Sequence, residues 1–260
     1  MEHKRIVVKV GTSTVCHPGG TVNLRRIERL SMVLSDIKNS GSDVVLVTSG
    51  AIGAGIHKAG WTARPTSLSA KQAAAAIGQC ELMSIYDRFF REYGSITAQI
   101  LLTKDVLEES SARNNCTATF EELLSMHIIP IVNENDSVAT EEIVYGDNDT
   151  LSAAVAALIK ADLLVLLSDI DGLYDADPAI YPDAKHLDVV TDLNAVRHLA
   201  KGSHTSQGTG GMVTKLRAAD IAMKAGIPVI IANGSDPDIL YNITDGKKTG
   251  TLFVPQGAPQ

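Results

Sequence analysis

Arg5–Thr14 reads RIVVKVGTST. A continuous, β-branched run ends abruptly in a glycine and three hydroxyl residues. Runs without polar alternation belong to strands buried on both faces. Gly and hydroxyl residues are the natural terminators of such a strand. The same unit recurs along the chain. Asp43–Thr48 (DVVLVT), Ile96–Leu102 (ITAQILL), Ile128–Val132 (IIPIV), Leu163–Leu167 (LLVLL) and Pro228–Ala232 (PVIIA) are further strand candidates. Helix-like segments lie between them at Leu24–Asn39, Ser69–Tyr93, Ser110–Met126, Leu151–Lys160, Asp192–Ala200 and Thr214–Ala225. Alternation of this kind predicts an α/β fold, a three-layer αβα sandwich with a mostly parallel central sheet. Crossovers should be right-handed and ligands should gather at the carboxyl edge of the sheet. Ser137–Tyr145 (SVATEEIVY) departs from the pattern and reads as a small hairpin.

Composition narrows the function. The chain has 260 residues, with 23 Lys plus Arg against 30 Asp plus Glu and a net charge of −7. An acidic surface disfavours nucleic acid and anionic membranes as partners. Three scattered cysteines, Cys16, Cys80 and Cys116, form neither a disulfide framework nor a zinc motif, and they fit a reducing cytoplasm. The longest apolar neighbourhood, Leu151–Leu167, is interrupted by Lys160 and Asp162, and the N-terminus lacks the pattern of a signal peptide. No linker or repeat divides residues 1–260, so one domain with two lobes is expected.

The strand ends carry the chemistry. Gly11–Thr14, Ser49–Gly55, Asn133–Ser137, Ser168–Gly172 and Asn233–Ser235 each follow a strand and would share one edge. Gly50–Gly55 reads GxxGxG, and neither the dinucleotide fingerprint nor the P-loop pattern occurs. Gly208–Lys215 (GTGGMVTK) is a glycine-rich loop that enters a helix, a natural anion site. Lys215 on the first turn of that helix is unfavourable unless an anion sits beside it. Lys9 is the second anomalous lysine, inside an apolar strand. A buried ammonium without a partner is costly. Tyr145–Ser152 (YGDNDTLS) offers more acids than one helix cap needs.

Taken together, VVKVGTS, VVLVTSGAIGAG, Gly78-Gln79, QILLT, IVNENDSVAT, GDNDTLSA, LLSDIDGLYDADP, GTGGMVTKLRAAD and GTLF resemble the amino acid kinase family, in order and over nearly the whole chain. They are most similar to the branch whose acceptor is the γ-carboxylate of L-glutamate, the first step towards proline. The resemblance implies a carbamate kinase-like fold, with an amino-acid lobe followed by an ATP lobe at about residues 160–260. It implies ATP and Mg²⁺ as cofactors, a homo-oligomer (dimer or tetramer), and proline as a feedback inhibitor. Lys9 and Lys215 would contact phosphates and Asp149 would orient them. Ser49, Asp136 and Asn148, with Gly50, Ala51 and Asn133, would hold glutamate. Lys9, Gly11, Ser168, Asp169, Thr209, Gly210, Gly211, Met212, Val213, Thr214 and Lys215 would bind ATP. No dedicated metal ligand set is expected. Many members continue into a small RNA-modification-type domain that has no counterpart before Gln260.

A side-chain carboxylate acceptor is already ionised near neutral pH, so such a kinase needs no general base. Asp149 is then an organiser of cations. Two alternatives remain. One is a kinase of another small anion, such as a nucleoside monophosphate, carbamate or isopentenyl phosphate. A phosphate acceptor would call for arginines, and the strand-end loops carry none. The other is a non-catalytic nucleotide sensor, which would have no need of both lysines and Asp149.

Overall fold

A computed structural model describes residues 4–17, 19–138, 148–178, 180–202 and 211–255. The strands are β1 (Arg5–Val10), β2 (Asp43–Val47), β3 (Thr97–Leu102), β4 (Ile129–Glu134), β5 (Leu163–Ser168), β6 (Leu173–Tyr174), β7 (His186–Leu187), β8 (Val189–Val190), β9 (Val229–Asn233) and β10 (Thr251–Phe253). The helices are α1 (Thr12–Val15), α2 (Leu24–Asn39), α3 (Ala51–Lys58), α4 (Leu68–Glu92), α5 (Lys104–Glu108), α6 (Ser110–Ser125), α7 (Asn148–Leu158), α8 (Leu193–Val196), α9 (Met212–Lys224) and α10 (Ile239–Thr244), with a 3₁₀ turn at Arg197–Gly202.

Eight strands form the central sheet in the order β3-β4-β2-β1-β5-β9-β10-β8. Every pairing is parallel except β9 with β10, and β6 pairs with β7 in a separate antiparallel ribbon. Side chains of a strand alternate between faces, and here both faces are buried. Ile6, Val8 and Val10 face α2, α4 and α10 through Ile27, Leu30, Tyr86, Phe90 and Leu240. Val7 faces α6, α7 and α9 through Phe120, Leu151, Val155, Leu216 and Ala219. The sandwich expected from the sequence is therefore present.

The chain steps from β1 to β2 through α2 on one face, and from β4 to β5 through α7 on the other. Strand order thus reverses at the β1–β5 neighbours, which opens a crevice at their carboxyl ends.

Three strands run past their apolar residues. β4 continues through Asn133 and Glu134, β5 through Ser168 and β9 through Asn233. These polar residues still sit in the ladder, with Leu101 opposite Asn133 and Ser168 opposite Asn233. The segment Asp192–Ala200 is a short helix followed by the 3₁₀ turn rather than one helix. The hairpin expected at Ser137–Tyr145 lies almost wholly outside the described residues.

Ser49–Gly55, read as a strand-end loop, is instead largely helical, because α3 begins at Ala51. Gly50 caps it in the left-handed region at φ 97°, where a side chain would also strike Val15. Gly55 and Gly78 let α3 and α4 touch backbone to backbone. A methyl group on Gly78 would lie 1.8 Å from the Ala51 carbonyl oxygen, and one on Gly55 would lie 1.8 Å from that of Ala74.

Candidate active site

Alternation along β1 puts Lys9 on the face of Val7, towards α7 and α9. Its stem therefore runs through the core and its ammonium emerges at the carboxyl edge, where α7 begins. Asp149, in the first turn of α7, has no exposed surface, and Lys9 and Lys215 are only 6% and 5% exposed. Lys9 Nζ lies 2.5 Å from Asp149 Oδ1. Lys215 Nζ lies 3.2 Å from Asp149 Oδ2, and the Thr214 hydroxyl donates to the same oxygen at 2.9 Å. One carboxylate thus gathers two ammonium groups from elements far apart in sequence.

Burial alone would push the Asp149 carboxyl up. The charges of Lys9 and Lys215, with hydrogen bonds from Lys9 and Thr214, outweigh that penalty and hold it below the ordinary carboxylate range. The helix dipole of α7 acts in the same direction. Asp149 also resolves the anomaly of a lysine in the first turn of α9, since it supplies the anion that the helix end lacks. Lys9 and Lys215 thus bring two ammonium groups to one carboxylate at the crevice. Paired ammonium groups at a strand-end crevice are chemically suited to an anion.

Asn148, the residue before Asp149, opens a second and uncharged network. Its Nδ2 reaches the Thr48 carbonyl oxygen at 2.5 Å, Asn133 Oδ1 at 2.8 Å and Ser49 Oγ at 3.1 Å. Asn133 Oδ1 also accepts from the Glu134 backbone N–H at 3.0 Å. Asn133 Nδ2 then donates to Gln79 Oε1 on α4 at 2.8 Å. Ser49, Asn133 and Asn148 therefore lie in one hydrogen-bonded network.

Asp136 lies in a narrow cleft with Ala51, Gln79, Leu101 and Glu134. Burial pushes its carboxyl up to about 6, so it takes on charge only reluctantly until a cation arrives. Gly50 and Ala51 form the start of α3 beside this cleft.

On the other flank, Gly11 follows β1. A methyl group there would sit 3.7 Å from Lys9 Nζ, so glycine leaves that side of the ammonium open. Ser168 Oγ donates to Asp169 Oδ1 at 2.9 Å at the end of β5, and Gly234 N–H donates to the Ser168 carbonyl at 2.7 Å. Gly211 precedes α9 with no side-chain cap. Met212, Val213, Thr214 and Lys215 form its first turn, with Val213 exposed. Thr209 and Gly210 lie outside the described residues. Among the described residues no cluster of three His, Cys, Asp or Glu could hold a metal ion.

Gln79 is the site residue to which sequence reasoning gave no role. The Gly78-Gln79 pair was legible only as part of a resemblance, because an amide in a long amphipathic helix carries no chemical signature. Thr48 was also missed, since it acts through its carbonyl and not its side chain.

The amino acid kinase family model matches residues 4–233. The chain belongs to the amino acid kinase family. Among its relatives in this family, "Glutamate 5-kinase" of Clostridium perfringens (strain 13 / Type A) is 52% identical over 97% of this chain and 96% of its own length. "Glutamate 5-kinase" of Listeria innocua is 51% identical over 96% of this chain and 93% of its own length. That of Caldanaerobacter subterraneus is 50% identical over 98% of this chain and 69% of its own length. Two solved structures compare well in fold at low identity. Carbamate kinase from Giardia lamblia has a TM-score of 0.71 at 17% identity, covering 98% of this chain and 99% of that one. UMP kinase from Bacillus anthracis has a TM-score of 0.67 at 15% identity, covering 98% and 97%. These two bear on the fold alone.

Proposed function

We infer that this amino acid kinase transfers the γ-phosphoryl group of ATP to the γ-carboxylate of L-glutamate, giving ADP and γ-glutamyl phosphate, the first step of proline biosynthesis. Relatives at about half identity over nearly the full length carry that activity in their names. The observation that carries the mechanism is the buried Lys9–Asp149–Lys215 cluster, held beside Asn148 at the strand-order reversal.

An oxygen of the glutamate γ-carboxylate attacks the γ-phosphorus. An O–P bond forms, the bond to the β-phosphate oxygen breaks, and its electron pair leaves with ADP. No proton moves, because the acceptor is already ionised. The obstacle is the approach of two anions, so catalysis rests on positioning and on cations placed in advance. Lys9 and Lys215 supply those cations, and Asp149 holds them at fixed separation. Their ammonium groups approach the γ-phosphoryl oxygens while Asn148 and Ser49 hold the acceptor.

Mg²⁺ fits this site as a nucleotide-borne ion. Both Asp149 oxygens already serve Lys9, Lys215 and Thr214, so the ion would arrive held by the nucleotide rather than by this carboxylate. When bound, it would neutralise phosphate charge.

The amino-acid end occupies the lobe before residue 160 and ATP the lobe of about 160–260, where Ser168, Asp169 and residues 209–215 receive it, with Lys9 and Gly11 reaching it from the end of β1. Asp136 pairs with the substrate ammonium. Proline carries the same ammonium and α-carboxylate, which supports its role as inhibitor. Exposed Ile96 and Met126 offer apolar surface for a dimer or tetramer. Among the described residues no helix is long and apolar enough to cross a membrane, and ATP as donor supports a cytoplasmic site of action.

Incubation with ATP, Mg²⁺ and a panel of amino acids, with hydroxylamine to trap acyl phosphates, tests the reading. Glutamyl hydroxamate should dominate. Equal trapping with aspartate or 2-aminoadipate, or none with glutamate, would refute it.

A further inference from the structure

The Gln79 amide is more than a neighbour of Asn133. Its orientation follows from the backbone. The Glu134 N–H donates to Asn133 Oδ1, which forces Asn133 Nδ2 towards Gln79. Gln79 must therefore present Oε1 to Asn133, and Nε2 is left as a donor. Gln79 is 8% exposed, and that buried Nε2 has no hydrogen-bond partner. An unpaired buried donor is costly, so a site that keeps one normally uses it.

Its surroundings indicate the use. Gln79 lines the same cleft as Asp136 and Ala51, the first residue of α3, and Lys9, Lys215 and Asp149 are not part of that lining. The part of a substrate that enters the cleft is therefore the end remote from phosphoryl transfer. Asp136 suits an ammonium there. The cleft also contains Glu134, so a carboxylate entering it needs donors to offset two acids. The amide of Gln79 is one, and the first-turn N–H groups of α3, with the helix dipole, are the others. Gly78 has a clear part in this. Its lack of a side chain lets α4 close onto the Ala51 carbonyl, which sets Gln79 beside the start of α3.

We propose that Gln79, together with the N-terminus of α3, binds the α-carboxylate of the amino-acid substrate and so selects an α-amino acid over a simple amine bearing the same reactive carboxylate. The proposal rests on the glutamate-kinase reading above.

Two variants separate the roles of the amide. Gln79→Glu keeps an acceptor for Asn133 and replaces the donor with a repelling oxygen. Gln79→Leu removes both. Each is compared with wild type for kcat/KM towards glutamate and towards 4-aminobutyrate, which is glutamate without its α-carboxylate, using the hydroxamate assay. In Gln79→Glu, KM for glutamate should rise roughly ten- to hundredfold, the worth of a hydrogen bond to a charged group. The preference for glutamate over 4-aminobutyrate should shrink by a similar factor, while KM for ATP stays within about twofold. Gln79→Leu should lose the same preference if it folds; if it does not, Gln79→Glu still decides. An unchanged preference in Gln79→Glu would overturn the proposal and reduce Gln79 to a support for Asn133. A wild-type enzyme that forms no glutamyl hydroxamate would overturn the underlying reading as well, so the two failures are distinct.

Discussion

Asn148 and Asp149 are consecutive residues, yet they head two networks built on opposite principles. Asn148 leads through Asn133 to Gln79 by neutral hydrogen bonds anchored on the Thr48 carbonyl and the Glu134 N–H. Asp149 leads to Lys9 and Lys215 by ion pairs stripped of water. The amide network has fixed donors and acceptors and can read shape and polarity. The ionic cluster presents two ammonium groups and suits an anion such as phosphate. One turn of helix thus joins a neutral network to an ionic one, and the difference in type predicts different consequences for damage on each side.

The ionic side should be the more fragile. In Asp149→Ala, two buried cations lose their counter-charge. Breaking a buried pair typically costs about 3–5 kcal/mol, so denaturant unfolding should show a loss of that order. Turnover should fall by roughly a thousandfold or more, since the lysines lose their fixed positions. Acid should narrow the stability gap. The Asp149 carboxyl is held below its ordinary 3.8, so its contribution is complete above that value and is lost as pH falls through the depressed one. Wild type and the Asp149→Asn variant should therefore converge in stability in strong acid.

On the amide side, Asn148→Ala should act mainly on glutamate. KM for glutamate should rise about tenfold or more, and unfolding free energy should drop by only about 1–2 kcal/mol. KM for ATP should change little. A large loss in ATP binding would mean that the two networks are not separable.

The smallest expected effect is a pH limb. Asp136 titrates at about 6 in the free protein because burial raises it. Below that pH it is neutral and cannot pair with the substrate ammonium, so kcat/KM for glutamate should fall about tenfold per unit of acidification. Asp136→Asn should show a lower plateau with that limb gone. A limb of unchanged position in the variant would assign it to another group.

Much of this arrangement could be read from residues alone, and the exceptions have physical causes. β1 and α2 occur with the bounds that the apolar pattern suggests, because their cores are uninterrupted. Among the described residues α7 runs from Asn148, three residues before its apolar face, because its first turn makes ion pairs and hydrogen bonds rather than core contacts. The ends of β4, β5 and β9 were hidden for the same reason. Asn133, Ser168 and Asn233 break the apolar run but not the ladder. α3 was hidden by its glycines, which mark a loop locally and serve a helix crossing globally. Lys9 and Lys215 were conspicuous as cations in the wrong places. Gln79 was not, since only the folded network shows which of its atoms is left over.

The most direct test of the central claim is the single-turnover rate of phosphoryl transfer, measured for Lys9→Met, Lys215→Met and the double variant at saturating ATP, Mg²⁺ and glutamate. If the two ammonium groups act as one clamp set by Asp149, each single variant should lose roughly a thousandfold, and the double variant should lose little more, as residues that work as a unit do. A single variant that keeps a rate within about tenfold of wild type, or losses that simply multiply in the double, would contradict it.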